Sequence, residues 1–255
     1  MRFRRQPPLS VSALALSVLV GTAGAAWAID DANLEQGYPT PLEDAMILRG
    51  GEQTFTVALR PTQRMDLNIE VAEGIGDRWQ VSYSGRLENV KGNSDGNVGV
   101  EAIWLAQRDT EGRPGEALKL QLDFGQGNEE PVVNILGIAQ GRVGDLGVYA
   151  NGGFRYQQQE GDFFNEFQWR AVAGGTLPLT AILGTPSTGI GALTWERTPV
   201  PGLDNPVRLD LGIRLQPRKK WLVFASAGTD LSPDNWRHVA FRAMGGITWD
   251  VTAKR

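Results

Sequence analysis

The stretch Val207-Arg208-Leu209-Asp210-Leu211-Gly212-Ile213-Arg214-Leu215-Gln216 is apolar at every odd position and charged, polar or glycine at every even one. Successive side chains of a β-strand point to opposite faces. The segment therefore reads as a strand with one oily face and one wet, charged face. The same alternation recurs from about residue 53 to the C-terminus.

Closing many such strands into a cylinder leaves no unpaired edge, which is the condition for crossing lipid with strands. The expected fold class is all-β, a transmembrane antiparallel up-and-down β-barrel of about 12 strands. Turn residues punctuate the alternating runs at 52–60, 64–73, 78–88, 97–108, 116–126, 131–142, 145–157, 165–176, 188–198, 206–216, 219–229 and 238–250. Each run is close to the roughly 9–11 residues that a tilted strand needs to cross a bilayer. With both chain ends in the periplasm, turns near 74–77, 143–144 and 217–218 face inward, while the longer connections 89–96, 158–164, 199–205 and 230–237 face outward.

Ahead of this region stand Arg2, Arg4 and Arg5, then an apolar run from about Val11 to Val20, then Ala26-Trp27-Ala28. That is the layout of a secretory signal peptide with its small-residue cleavage site, so residues 1–28 are set apart from the fold. Without their three arginines, the 25 basic residues become 22 against 29 acidic ones, a net charge of −7. An acidic chain with no dense Lys/Arg cluster excludes nucleic acid as an expected partner. Cysteine is absent, so disulfides, thiolate chemistry and Cys-ligated metal are excluded as well. Eight tryptophans suit the membrane–water interface, where the ring is half buried and its N–H stays near water.

Residues 171–195 carry no charge and are long enough to span a bilayer as a helix. Pro178, Pro186, five glycines and five threonines make that composition a poor helix. The segment reads as the end of one strand, a wide turn and the start of the next.

Alternation assigns Leu67, Ile69, Trp79, Val81, Leu118, Leu120, Val148, Phe154, Ile247 and Trp249 to lipid. It assigns the charged residues to the other face. These are Arg64, Asp66 and Glu70; Arg86 and Glu88; Lys119 and Asp123; Arg155; Glu166 and Arg170; Arg208, Asp210 and Arg214; and Arg242 and Asp250. An Arg or Lys facing lipid at mid-depth costs roughly 2–4 kcal/mol, so together these residues require a lumen or water. Two readings of them stand side by side. One is a transverse field lining a pore, as charged rings do in channels; the other is a network of cross-strand ion pairs closing a narrow barrel. Residues 29–50, with Asp30, Asp31, Pro39, Pro41, Glu43 and Asp44, do not alternate. They form an arm that either hangs in the periplasm or folds into the lumen as a plug, ahead of a barrel over 51–255.

Several stretches resemble a bacterial outer-membrane transporter family associated with the meta-cleavage pathway of phenol degradation. The carrying residues are Gly74-Ile75-Gly76-Asp77-Arg78-Trp79-Gln80-Val81, Gly212-Ile213-Arg214-Leu215 before a short turn and Trp221, and Gly228-Thr229-Asp230-Leu231-Ser232-Pro233-Asp234-Asn235-Trp236-Arg237. The likeness spans roughly residues 50–251 and lies in turn chemistry. It implies an outer-membrane barrel that passes small solutes, apolar or aromatic ones among them. The chain departs from the common barrel ending: Trp249-Asp250-Val251 is followed by Thr252-Ala253-Lys254-Arg255 rather than stopping at an aromatic residue.

No enzymatic constellation emerges. His238 is the single histidine, and its spacing to Ser226, Ser232 and Asp234 does not demand a triad. Glu129-Glu130 and Asp30-Asp31 sit beside turns and read as solvated. Asn93-Ser94-Asp95-Gly96-Asn97 lacks the closing bidentate Glu of a calcium loop and reads as a hairpin turn. No cofactor is called for. The expected location is the bacterial outer membrane. The expected partners are its lipids, the barrel-assembly machinery and a small-molecule solute. A non-conducting structural barrel and a soluble exported β-sandwich or lipocalin-like binder are the alternatives.

Overall fold

The computed structural model describes residues 47–61, 65–90, 93–110, 113–125, 131–157, 167–197, 205–232 and 241–252. The expected signal peptide and most of the expected arm lie outside the described residues. The strands are β1 (Gln53–Pro61), β2 (Met65–Ile75), β3 (Trp79–Val90), β4 (Asn93–Gln107), β5 (Gly115–Phe124) and β6 (Val132–Val143). They continue with β7 (Leu146–Gln157), β8 (Phe167–Pro178), β9 (Ser187–Glu196), β10 (Val207–Arg218), β11 (Trp221–Asp230) and β12 (Arg242–Asp250). A single turn of helix, α1 (Thr180–Leu183), lies between β8 and β9.

Each strand pairs antiparallel with its chain neighbours, and β1 pairs with β12, so the sheet is a closed barrel of twelve strands. The seam runs from Thr54↔Asp250 to Leu59↔Gly245, and the hydroxyls of Thr56 and Thr248 share a hydrogen bond of 3.0 Å across it. All twelve expected strands are present, displaced by a few residues at their ends.

The alternation survives in three dimensions. On β5, Ala117 and Lys119 are buried while Leu118 and Leu120 are exposed. On β10, Arg208 is 1% exposed and Leu211 is 59% exposed. The exposed oily row is the outer surface of the cylinder, which rules out a soluble sandwich or binder, since either would turn that row into its core.

Aromatic rings mark both rims of this belt. Trp79 lies 6.4 Å from Trp104 and Trp221 stacks on Trp249 at 5.0 Å, all at the end where the chain enters and leaves. Phe154, Tyr156, Phe167 and Trp169 cluster at the opposite end, with centroid distances of 4.9–5.9 Å. Two aromatic girdles around an apolar band are the surface of an outer-membrane barrel. Glu73 and Glu116 share the outer face, but only at the rim where the chain enters and leaves.

One connection differs from the sequence expectation. Residues 93–97 are not a turn. They open β4 and pair with residues 86–90, leaving only 91 and 92 between the strands. That hairpin arm lies at its strands' loop end, where no oily face is needed, so its polar composition does not interrupt pairing. The turn between β4 and β5 spans 108–114 and carries its own Thr110↔Arg113 bridge. The uncharged 171–195 region is strand, turn and strand. Among the described residues, no helix is long and apolar enough to cross a membrane.

Replacing Leu211 by Arg puts a charge on the lipid face at mid-barrel and is expected to destabilise folding by about 2–4 kcal/mol. Equilibrium unfolding in urea from lipid vesicles measures it, and an unchanged midpoint would be inconsistent with a lipid-facing Leu211.

Candidate functional site

The inner face is built from even-numbered positions on β1, β2, β3, β6 and β8–β12 and odd-numbered positions on β4, β5 and β7, as pairing and burial require. Asp66, Glu70, Arg86, Lys119, Asp123, Arg155, Arg170, Arg208, Asp210, Arg214 and Asp250 all occupy such positions. Arg64 and Glu166, and the side chains of Glu88 and Arg242, lie outside the described residues.

Nearest the loop end, these groups form linked pairs. Arg86 donates to Asp66 at 3.0 Å between neighbouring strands β3 and β2. Asp123 accepts from the amides of Gln121 and Asn134 at 2.9–3.2 Å. Glu196 lies between two guanidinium groups, 3.7 Å from Arg170 and 3.5 Å from Arg208. Deeper in the barrel, Lys119 and Glu101 form an ion pair of 2.7 Å with almost no exposure.

Glu101 and Glu196 were not among the residues expected from sequence. The reason is physical: each shares its inner row with apolar side chains, Ile103 and Leu105 on β4 and Ile190 and Ala192 on β9. The oily-out, ionic-in rule therefore holds for the outer face but not for all of the inner one. Three apolar patches occupy the inner wall: Ile103, Leu105, Ala117, Leu136 and Ile138 with Ile47; Val172, Ile190 and Ala192 against Tyr149; and Ala58, Phe224 and Met244 against Leu222. Most of these residues belong to the half where the chain enters and leaves the barrel.

The charges are unevenly placed around the wall. Among the described side chains, β2–β5 carry Asp66, Glu70, Glu101 and Asp123 against Arg86 and Lys119, while β7–β10, on the opposite arc, carry Arg155, Arg170, Arg208 and Arg214 against Glu196 and Asp210. Of the residues weighed for a triad, only Ser226 and Ser232 are described. Ser232 Oγ donates to the Asn205 carbonyl at 3.2 Å and accepts from the Val207 amide at 3.1 Å, pinning the entry to β10. His238 and Asp234 lie outside the described residues.

The sealed wall, the banded exterior and the ionic interior define an outer-membrane β-barrel. Solved structures share that fold. A KdgM porin matches with a TM-score of 0.59 at 9% identity, over 77% of this chain and 98% of its own. The COG4313 outer membrane channel from Pseudomonas putida F1 matches with a TM-score of 0.59 at 12% identity, over 81% and 98%. The NanC porin matches with a TM-score of 0.57 at 12% identity, over 77% and 98%. No family model matches the chain, and no curated protein matches it.

Lys119→Met alone removes the cation 2.7 Å from the buried Glu101 carboxylate and is expected to cost about 3–5 kcal/mol. Adding Glu101→Gln should recover most of that loss in the same unfolding measurement. Equal loss in the single and double variants would argue against a paired, buried charge.

Proposed function

We propose that this barrel passes small hydrophilic solutes across the outer membrane, and that the charged level of the inner wall is its selective region. The observation carrying this reading is the opposition of two charged arcs inside a sealed cylinder. With the ion-paired Arg86, Lys119 and Glu196 counted, the described side chains leave an acidic surplus on β2–β5 and a basic surplus on β7–β10. Fixed charges of opposite sign across a narrow lumen create a transverse field that orients polar and zwitterionic molecules. Asp123, Arg155, Arg170 and Arg214 retain partial solvent exposure, which fits a wetted passage along them. The likeness to porins and channels supports the same reading at the level of fold.

A second reading concerns apolar or aromatic solutes, which the resemblance to the phenol-pathway transporters implies. It is favoured by the apolar inner patches of the periplasmic half, Ile103, Leu105 and Ile138 on one side and Ile190 and Val172 on the other. Liposome swelling separates the two. Entry of a small sugar or amino acid at porin-like rates supports the polar route. Retention of both, alongside accelerated transfer of a radiolabelled aromatic compound, favours the apolar one.

Purified protein in planar bilayers is expected to give discrete conductance steps. Under a salt gradient, Arg155→Glu should shift the reversal potential toward cations, and Asp123→Asn toward anions. A barrel that stays electrically silent, or a reversal potential unmoved by both substitutions, would count against a charged conducting lumen.

A further inference from the structure

Residues 47–52 precede the first strand and do not continue its line. Arg49 to Glu52 form a tight turn, with the Glu52 amide donating to the Arg49 carbonyl at 2.9 Å and Gly51 at φ 83°. Positive φ at the third residue is the signature of a type II turn, which reverses the chain. The Arg49 amide donates to the Glu52 carboxylate at 2.7 Å and locks the reversal. Upstream of it, Leu48 and Ile47 lie against the inner face of the wall. The Leu48 amide donates to Gln80 Oε1 at 3.0 Å, and Gln80 is a buried inner residue of β3. Ile47 is buried with Ile103, Leu105, Ala117, Leu136 and Ile138, all inner residues of β4–β6.

The wall is shaped to receive this segment. A Cβ at Gly74 would overlap the backbone carbonyls of Leu48 and Arg49, and a Cβ at Gly50 would lie 3.0 Å from the backbone of Gly76. Gly74 is tied to the turn from both sides: Gly51 donates to its carbonyl at 2.9 Å, and its own amide donates to Glu52 at 3.0 Å. Gly74 and Gly50 thus let backbone approach backbone where a side chain would keep them apart.

We propose that residues 47–51 form a built-in ledge that narrows the periplasmic mouth of the lumen and sets the size limit for solutes. Gly74 and Gln80 hold the ledge, and Ile47 is its anchor in the apolar patch of β4–β6. The proposal rests on the reading of the barrel as a pore, and it adds the element that determines the pore's width.

The chain contains no cysteine, so paired cysteines report position directly. The full-length protein carrying Ile47→Cys and Ile138→Cys should cross-link with a short bifunctional thiosulfonate, and adding Gly74→Val should abolish the cross-link. Gly74→Val alone, and independently Ile47→Asp, should raise single-channel conductance and admit larger sugars in liposome swelling, with heat-modifiable gel migration reporting an intact barrel. A silent parent with a conducting Gly74→Val or Ile47→Asp variant also supports the ledge. Failure to cross-link overturns it. Equal conductance in the parent and both folded variants overturns the ledge and leaves the pore standing. Silence in all of them removes the pore reading and the ledge with it.

Discussion

Backbone amides and carbonyls inside a bilayer have no water to bond, so each must find a partner in the protein. For strands the only complete solution is closure, and the β1–β12 seam supplies it. Closure also fixes which side of every strand is oily. At the seam, Val57 opposes Ile247 on the outer face and Thr56 opposes Thr248 on the inner one. A slip of one residue would exchange these faces along the whole strand. The same register that seals the wall therefore determines which charges meet inside it.

The strands were legible because a period of two is imposed by lipid on the outer face, and β10 shows it without interruption. The reading failed where lipid exerts no pressure. The Asn93–Asn97 region carries turn residues, yet it pairs with β3 at the loop end, where polar side chains are tolerated on both faces. The short helix after Pro178 was likewise not visible, since a single turn leaves no periodic signature.

The interior was half legible. Charged residues identified their face, because a cation in the hydrocarbon layer is costly. Their partners were not identifiable, because pairing depends on the stagger between strands. Nothing in the sequence near Lys119 points to Glu101, eighteen positions upstream, yet the β4–β5 register brings them together. The apolar inner patches were missed for the complementary reason: an oily residue is permitted on either face, so Ile103 or Ile190 carries no directional signal. The same ambiguity hid the role of Ile47, and Gly74 was readable as turn chemistry alone.

Under the proposed pore and ledge, charge at the loop end and apolar narrowing at the other mouth would give the lumen a direction, with polar selection first and a tighter passage after it. Both features depend on the wall being sealed and two-faced. Spin labels placed one at a time at positions 207–216 of this cysteine-free chain, reconstituted in lipid, test that most directly. Collisional accessibility to oxygen should peak at 207, 209, 211, 213 and 215 and fall at the positions between, and accessibility to a water-soluble nickel chelate should be highest at 212, 214 and 216. Equal accessibility along the segment, or the opposite phase, would contradict a sealed two-faced barrel.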